Sequence, residues 1–398
     1  MSDYYYSKNL KRYFTKRLDF LIYAHDGRGL GHASRSIAIC MALRRLFPEK
    51  RVLFISGNKN THSLIGPSPL DWIKLPSYET TVKNGVSKGK DGDSNFYKSV
   101  LGNLRSELVA SIVRIFKPRC VLVDHAPAGK KEELVSAMEL NRSKDTLWIL
   151  GLRGIPGDVP ELWSDKAAKI FNKYYHAVLW YGDKRILGDN TKAAIKNSYQ
   201  TEPIETGYVS RMSEFRYSYN VLLKTIAGTI SIPWMTEGSW FFMEKLASAL
   251  KSIGPSYGKW RVFVPRNEIQ NVKRIFQELK FCLIEEVSDK YMISLLSSKV
   301  SVVYAGYNSL MDIIAAKVPS VVIIRGMADG EQEAHLDTLT SILKDRLSAL
   351  PENAISEHEL IKSLEKLITL NDPPETSVNI NGAEFTAKYL EGLLSKFF

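Results

Sequence analysis

The chain has 398 residues, 44% hydrophobic and 24% charged, which is ordinary for a soluble globular protein and enough for two or three domains. It has no run of about 18 apolar residues to span a membrane, and its three cysteines, Cys40, Cys120 and Cys282, are spaced for neither a disulfide framework nor a metal site. The formal net charge of +11 favours anionic partners such as nucleotides or phospholipid surfaces, while the lack of a recognised nucleic-acid module argues against nucleic acid.

The opening stretch "MSDYYYSKNLKRYFTKR" has no apolar segment of signal-peptide length, so a cytoplasmic protein is expected. Its cluster of Lys8, Lys11, Arg12, Lys16 and Arg17 tilts that expectation towards peripheral contact with the inner membrane face. Leu18–Ala24 reads as a buried strand. Ala33–Phe47 reads as a helix, with Ile37 and Met41, and Ala38 and Ala42, at i, i+4 spacing and Pro48 closing it. There follow "RVLFIS" (strand), "NFYKSVLGNLRSELVASIVRIF" (helix), "CVLVD" (strand), "KKEELVSAMEL" (helix), "TLWIL" and "HAVLWY" (strands). The polar, Gly-rich stretch from Val82 to Asn95 reads as a flexible loop. After Gly207 the segment "SRMSEFRYSYN" breaks the pattern. The alternation then resumes through "LKTIAGTI", "WRVFVP", "CLIEE", "VSVVYAG" and "PSVVII", with helical segments between them.

Strands separated by helices mean parallel α/β units. The expected architecture is two Rossmann-like domains facing across a cleft. Their bounds are a basic segment at 1–17, a first domain at 18–207, a linker at 208–220, a second domain at 221–380 and a terminal helix at 381–398.

The stretch "HDGRGLGHASRS" (His25 to Ser36) lies between the first strand and the first helix. Glycines there let the backbone approach a ligand, and the helix start supplies free N–H groups for an anion. Gly27, Gly29 and Gly31 do not match a dinucleotide fingerprint, because His32 replaces its third glycine and no acidic residue ends the next strand. The bland alternative is a glycine-rich turn with no ligand. His32, facing such a crevice, can serve as a neutral general base. In "CVLVDHAPAG", Asp124 and His125 fall at the carboxyl end of another strand of the same sheet, where Asp124 could fix the tautomer of His32 or simply terminate the strand.

In the second half, "VVYAGYNSLMDIIAAKVPSVVI" ends a strand at Tyr304 and turns at Gly306 into a helix that Asn308 and Ser309 can cap. Asp312, early in that helix, could accept two vicinal hydroxyls, as on a ribose, or could act only as a dipole partner. "GMADGEQEAHL" then offers Asp329, Glu331 and Gln332 to sugar hydroxyls. The "DGD" at Asp91–Asp93 imitates a metal-binding D-x-D motif, but sits in a lysine-rich polar loop.

This order resembles the GT-B glycosyltransferases, especially the MurG-like group that transfers a sugar from a UDP-sugar. It is more similar still to a set of predicted bacterial glycosyltransferases with G-H-x-x-R and GGYN-type motifs. The matching stretches here are "GHASR", "VDHAPAG", "GLRGI", "YGDKR", "TGYVSR" and "AGYN", which together reach across most of residues 18–345. The resemblance implies an inverting, metal-independent transferase with no cofactor and a UDP-sugar as substrate. His32 would be the base, oriented by Asp124. Gly29, Gly31, His125 and Arg153 would shape the acceptor or phosphate loop, and Asp183 would lie near the cleft. Gly306, Tyr307, Asn308 and Ser309 would approach the diphosphate, Asp312 the ribose, and Glu331 and Gln332 the donor sugar. The acceptor stays open between a lipid-linked saccharide, another saccharide and a small natural product.

Two positions depart from that pattern. "LRD" is replaced by "LRG", and the glycine-rich diphosphate loop opening the second domain is replaced by "IAGTISIPWMTEGSW", which sets Gly228 and Gly238 far apart. The rival readings are a UDP-sugar 2-epimerase of the same fold and a nucleotide-sugar-binding protein without turnover.

Overall fold

The computed structural model describes residues 17–25, 30–83, 86–90, 96–140, 145–157, 159–219, 224–325, 331–370 and 377–398. Its strands are β1 (Phe20–Ala24), β2 (Val52–Ser56), β3 (Asp71–Lys74), β4 (Glu79–Lys83), β5 (Val86–Lys90), β6 (Cys120–Asp124), β7 (Leu147–Arg153), β8 (Tyr175–Tyr181), β9 (Ile204–Glu205), β10 (Ile226–Ser231), β11 (Trp260–Val264), β12 (Cys282–Glu286), β13 (Ser298–Tyr304), β14 (Ser320–Ile324) and β15 (Leu347–Pro351). The helices that bear on the site are α1 (Gly31–Leu46), α2 (Thr61–Ile65), α3 (Lys98–Phe116), α4 (Arg211–Ser218), α5 (Glu237–Ile253), α6 (Tyr307–Ala316), α7 (Glu331–Leu343) and α8 (Gly382–Phe397).

Two parallel sheets carry the chain, in the orders β3-β2-β1-β6-β7-β8-β9 and β12-β11-β10-β13-β14-β15. Strands β1, β2 and β6 are buried along their whole length, which is why they read as unbroken apolar runs. Alternate residues feed opposite faces: Phe20, Ile22 and Ala24 pack into one core, Leu21 and Tyr23 into the other. Part of the expected loop at 82–95 is instead an antiparallel β4–β5 hairpin apart from the main sheets. The polar composition of those residues hid it. The "DGD" lies outside the described residues.

The expected linker is largely helix α4, whose N-cap Ser210 accepts from the Met212 amide. The terminal helix α8 returns to the first domain. Its Ala383, Ala387, Leu390 and Leu394 share a core with Phe20 and Ile37. The crossing is pinned at the junction, where Tyr208 N donates to Asn379 O at 2.7 Å and Gly382 N donates to Tyr208 O at 3.0 Å.

Each sheet reverses its winding direction once, between β1 and β6 in the first and between β10 and β13 in the second. Open α/β sheets bind ligands at the carboxyl ends of the strands at such points. The sequence places "HDGRGLGH" and "DH" at the first reversal, and "SIPW" and "AGYN" at the second.

Candidate active site between the two domains

The two reversals meet. A Cβ added to Gly31 would lie 2.8 Å from Asn308 Nδ2, so the start of α1 touches the start of α6 across the domains. Beside this contact is a cavity of about 340 Å³, lined from the first domain by Gly31, His32, Arg35 and Arg153, and from the second by Trp234, Gly306, Asn308, Ser309 and Asp312. Arg211 of the connecting helix reaches it as well. Among the described residues no side chain caps α1 at Leu30 or α6 at Gly306, and neither helix has an acidic residue in its first turn. A helix N-terminus without a side-chain cap presents its N–H dipoles favourably to an anion.

His32 stands at the second position of α1. Its Nδ1 lies 2.5 Å from Asp124 Oδ2, and Asp124 Oδ1 accepts from Arg35 Nη2 at 3.2 Å. Arg35 is three residues after His32, on the same face of the helix, so one carboxylate meets both. Burial alone would raise the carboxyl of Asp124, but Arg35 and His32 outweigh it and hold it at about 2. It is therefore ionised at neutral pH. That ionised carboxylate fixes the proton of His32 on Nδ1 and leaves the Nε2 lone pair available. Burial lowers the basicity of His32, Asp124 opposes that effect, and Arg35 and Arg153 add to it, so the imidazole stays neutral at pH 7. His25 and His125 crowd the same ring, with centroids 5.3 and 5.0 Å from that of His32. Burial pushes both far below the ordinary imidazole value.

Among the described residues no group of three His, Cys, Asp or Glu side chains is arranged to hold a metal ion, and no helix is long and apolar enough to cross a membrane.

No protein-family model and no curated protein sequence matches the chain. Solved structures do match its architecture. A putative UDP-N-acetylglucosamine 2-epimerase from Listeria monocytogenes aligns over 96% of this chain and 97% of its own, with TM-score 0.60 and 11% identity. Arabidopsis thaliana UGT89C1, complexed with UDP-L-rhamnose, aligns over 96% and 99%, with TM-score 0.56 and 12% identity. MurG of Acinetobacter baumannii aligns over 96% and 99%, with TM-score 0.50 and 10% identity. The fold is GT-B. At these identities the likeness speaks for the fold alone.

Within this GT-B frame, His32, Gly31, Arg153, Gly306, Tyr307, Asn308, Ser309 and Asp312 line one cavity, with Asp124 directly behind His32. His125 adjoins His32. Glu331 and Gln332 open helix α7, but their side chains, like Gly29 and Asp329, lie outside the described residues. The Tyr307 hydroxyl donates to Tyr181 O at 2.9 Å and accepts from Val209 N at 3.1 Å, so it also ties the domains together. Asp312 Oδ1 accepts from Ser210 Oγ at 2.9 Å, which ties the carboxylate to the connector. Burial raises its carboxyl, against the opposing pull of Arg211. Asp183 does not line the cavity. It caps the turn at Lys184–Leu187 and accepts from Asn379 N at 3.2 Å.

The departure in the diphosphate loop has a structural answer. Gly228 lies within β10, where an added Cβ would overlap the ring of Trp260. It serves packing. The start of α5 is closed by its own groups: Thr236 and Ser239 form a capping box and Glu237 sits in the first turn. A Cβ on Gly238 would stand 3.1 Å from Glu352 Oε2. Glu352 is held in turn by Tyr304 Oη at 2.6 Å and Ser239 Oγ at 3.1 Å. The Arg325 guanidinium lies 3.7 Å from the Trp234 ring centroid and 3.8 Å from that of Tyr304, and its Nη2 donates to Trp234 O at 3.2 Å. A buried carboxylate thus stands at the helix start where the resemblance implied a phosphate.

Sequence reasoning gave no role to His25, Arg35, Arg211 or Trp234, although Arg35 and Arg211 close the quoted stretches "GHASR" and "TGYVSR". Arg35 was legible as the i+3 partner of His32. The other three depend on the fold to meet the cavity.

Proposed function

We propose that the protein is an inverting glycosyltransferase that moves a sugar from a nucleotide-sugar donor, UDP-linked, to an acceptor hydroxyl without a metal. The observation that carries this reading is His32, held through Nδ1 by Asp124, in the same cavity as the start of α6.

In this reading His32 Nε2 takes the proton of the acceptor hydroxyl. The oxygen attacks the anomeric carbon from the face opposite the leaving group, and the bond from that carbon to the diphosphate oxygen breaks. The proton ends on His32 as an imidazolium stabilised by Asp124. UDP leaves with its charge against the helix starts and the guanidinium groups of Arg153 and Arg211, which do the work otherwise assigned to a metal. Donor binding falls to the second domain, with Asp312 Oδ2 towards the ribose. The first domain presents the acceptor.

The epimerase alternative needs acid and base groups around the donor ring. Among the described residues that line the cavity, Asp312 is the only carboxylate, and it is already bonded to Ser210.

The test is a thermal-shift panel of nucleotides and nucleotide sugars. A ligand at 100 times its Kd stabilises the native state by about 2.7 kcal/mol. UDP and one UDP-sugar should raise the melting temperature, and His32→Ala should keep that shift while losing about 10²- to 10⁴-fold in transfer rate. No shift with any nucleotide would sink the donor assignment. Conversion of a UDP-sugar with no acceptor present would move the assignment to the epimerase.

A further inference from the structure

The mechanism above leaves one group of cavity residues without a task. Asn60, Ser63 and Leu64, on α2 and its N-cap, line the cavity from the first domain, and Ser288 and Tyr291, which follow β12, line it from the second. Two contacts bring these stretches together. A Cβ added to Gly66, which closes α2 with φ at 57°, would stand 3.2 Å from Asp289 Cβ. Arg211 Nη1 of the connector donates to Leu64 O. The end of α2 therefore packs on the turn that enters the helix Lys290–Leu296.

Tyr291 is the informative member. It is 8% exposed, its ring meets that of Phe263 edge-on with centroids 5.8 Å apart, and its hydroxyl has no hydrogen-bond partner among the described residues. The partnerless hydroxyl of Tyr181 is sealed inside the protein, whereas that of Tyr291 is not, so the little surface Tyr291 keeps on the cavity includes its oxygen. Burial raises the hydroxyl, Asp312 adds to that and Arg211 opposes it, so it is a protonated donor at neutral pH, close to two other cavity residues. Buried tyrosines satisfy their hydroxyls as a rule. Here the open position is the cavity. The side chains of Asn60, Ser63 and Ser288 likewise make no hydrogen bond among the described residues. The cavity thus combines two chemistries: guanidinium groups with helix starts, and a neutral wall of three hydroxyls and one amide shared by the two domains.

Resting on the nucleotide-sugar reading above, we propose that this neutral wall takes the nucleobase of the donor, with the Tyr291 hydroxyl bonded to the edge of the heterocycle and α2 of the first domain supplying the other side. An uncharged heterocycle presents carbonyl oxygens and ring N–H groups, which hydroxyls and an amide can answer in either sense. The phosphates are better served by the helix starts and Arg153. Asp312, assigned the ribose, adjoins Tyr291, as a base joined to that sugar requires. The first domain then reads the donor as well as the acceptor, and the base is fully bound only when the two domains meet.

The experiment titrates the full chain by calorimetry with UDP and with inorganic pyrophosphate, and melts it without ligand by scanning fluorimetry. The variants are Tyr291→Phe, Ser63→Ala and Asn60→Ala; the Asn60 side chain caps nothing, so its loss does not weaken α2. The wild type should bind UDP about tenfold or more tightly than pyrophosphate. Tyr291→Phe should weaken UDP about tenfold, the worth of one hydrogen bond, leave pyrophosphate unchanged, and melt no lower than wild type, because the hydroxyl it loses has no partner in the free protein. Each first-domain variant should weaken UDP about three- to tenfold, again with pyrophosphate unchanged.

Unchanged UDP affinity in Tyr291→Phe would overturn the proposal. So would an equal loss for pyrophosphate, which would put the hydroxyl on the diphosphate, or a ligand-free Tyr291→Phe protein that melts well below wild type, which would make it a structural group. Unchanged UDP affinity in both Ser63→Ala and Asn60→Ala would give the base to the second domain alone and overturn the shared wall. If the wild type binds neither UDP nor pyrophosphate, the donor reading fails and this one falls with it. UDP binding that no variant alters removes this proposal alone.

Discussion

Replacing Asp124 with Asn preserves the side chain's shape and removes its charge. In the native protein that carboxylate accepts from His32 Nδ1 at 2.5 Å and from Arg35 Nη2 at 3.2 Å, and the Asp124 and Arg35 side chains are each 3% exposed. Without it, Arg35 is a buried cation with no counter-charge, and breaking such a pair from one side costs about 3–5 kcal/mol. At about 2–4 °C per kcal/mol for a domain of this class, the melting temperature should fall by about 6–20 °C. Arg35→Met in the same background removes the stranded charge while keeping an unbranched apolar stem. The double variant should regain most of the lost stability, because no unpaired ion remains. Transfer should not return with it. Both proteins replace the carboxylate with an amide, whose NH2 can turn to His32 Nδ1 and select the wrong tautomer and which carries no charge to stabilise the cation, and both should lose about 10²- to 10⁴-fold in rate. Scanning fluorimetry and UDP release from the identified donor measure the two effects separately. An Asp124→Asn protein that melts like wild type would refute the ion-pair argument. A double variant that recovers activity with stability would show that Asp124 serves only to neutralise Arg35.

Stability should fall on acidification. His25, His32 and His125 titrate below their ordinary value in the fold because burial disfavours their charged forms. Their contribution is therefore complete above the unfolded value of about 6.5 and is lost as pH drops below it, at up to about 1.4 kcal/mol per pH unit for each ring. Asp124 opposes that loss, Arg35, Arg153, Lys130 and Arg105 reinforce it, and a flat melting temperature from about pH 7 down to about pH 5 would contradict it. Tyr307→Phe leaves Tyr181 O and Val209 N buried without their partner, and should cost about 2–3 kcal/mol in urea unfolding. Loss of less than about 0.5 kcal/mol would show that this inter-domain tie is dispensable. Excess EDTA should leave the transfer rate unchanged, because helix ends and guanidinium groups are assigned the counter-charge. Inactivation that a divalent cation reverses would remove the metal-independent mechanism.

Much of the architecture was legible because buried parallel strands leave continuous apolar runs. Cys120–Asp124, buried throughout, coincides with the stretch read from sequence, and so does the half-exposed edge strand Cys282–Glu286, whose run is shorter. The β4–β5 hairpin and the short edge strand β3 were not legible. Their residues are polar or half-exposed, and they carry no period distinguishable from a loop. Among the site residues, His32 and Asp124 were legible from their places beside strand ends and glycines, and the meeting of Gly31 with Asn308 is what brings the two motifs to one cavity. Asp312 shows the limit of this approach. Its position in the motif pointed to a ribose, while its environment gives one oxygen to Ser210 on the connector. A hydrogen bond across more than a hundred residues leaves no local trace. Arg325 and Glu352 were missed for the same reason, since neither stands in a recognisable pattern and their significance comes from meeting at Ser239.

That meeting determines how a donor could sit. Three helices begin near the facing sheet edges. The start of α5 is capped by Thr236, preceded by no open glycine loop, and backed by the buried carboxylate of Glu352. An incoming diphosphate would find those N–H groups already enclosed by the capping box and by the buried Arg325–Glu352 ion pair. The starts of α1 and α6 are uncapped and meet across the domains. In the transferase reading, the anion is therefore held at the domain boundary itself and not deep in the second domain. Whatever binds there touches both halves at once, and its charge bridges two helix dipoles that would otherwise face each other with like sign. Donor binding and domain apposition then become one event. His32, at the second position of α1, is brought to the anomeric carbon by the same contact that neutralises the leaving group.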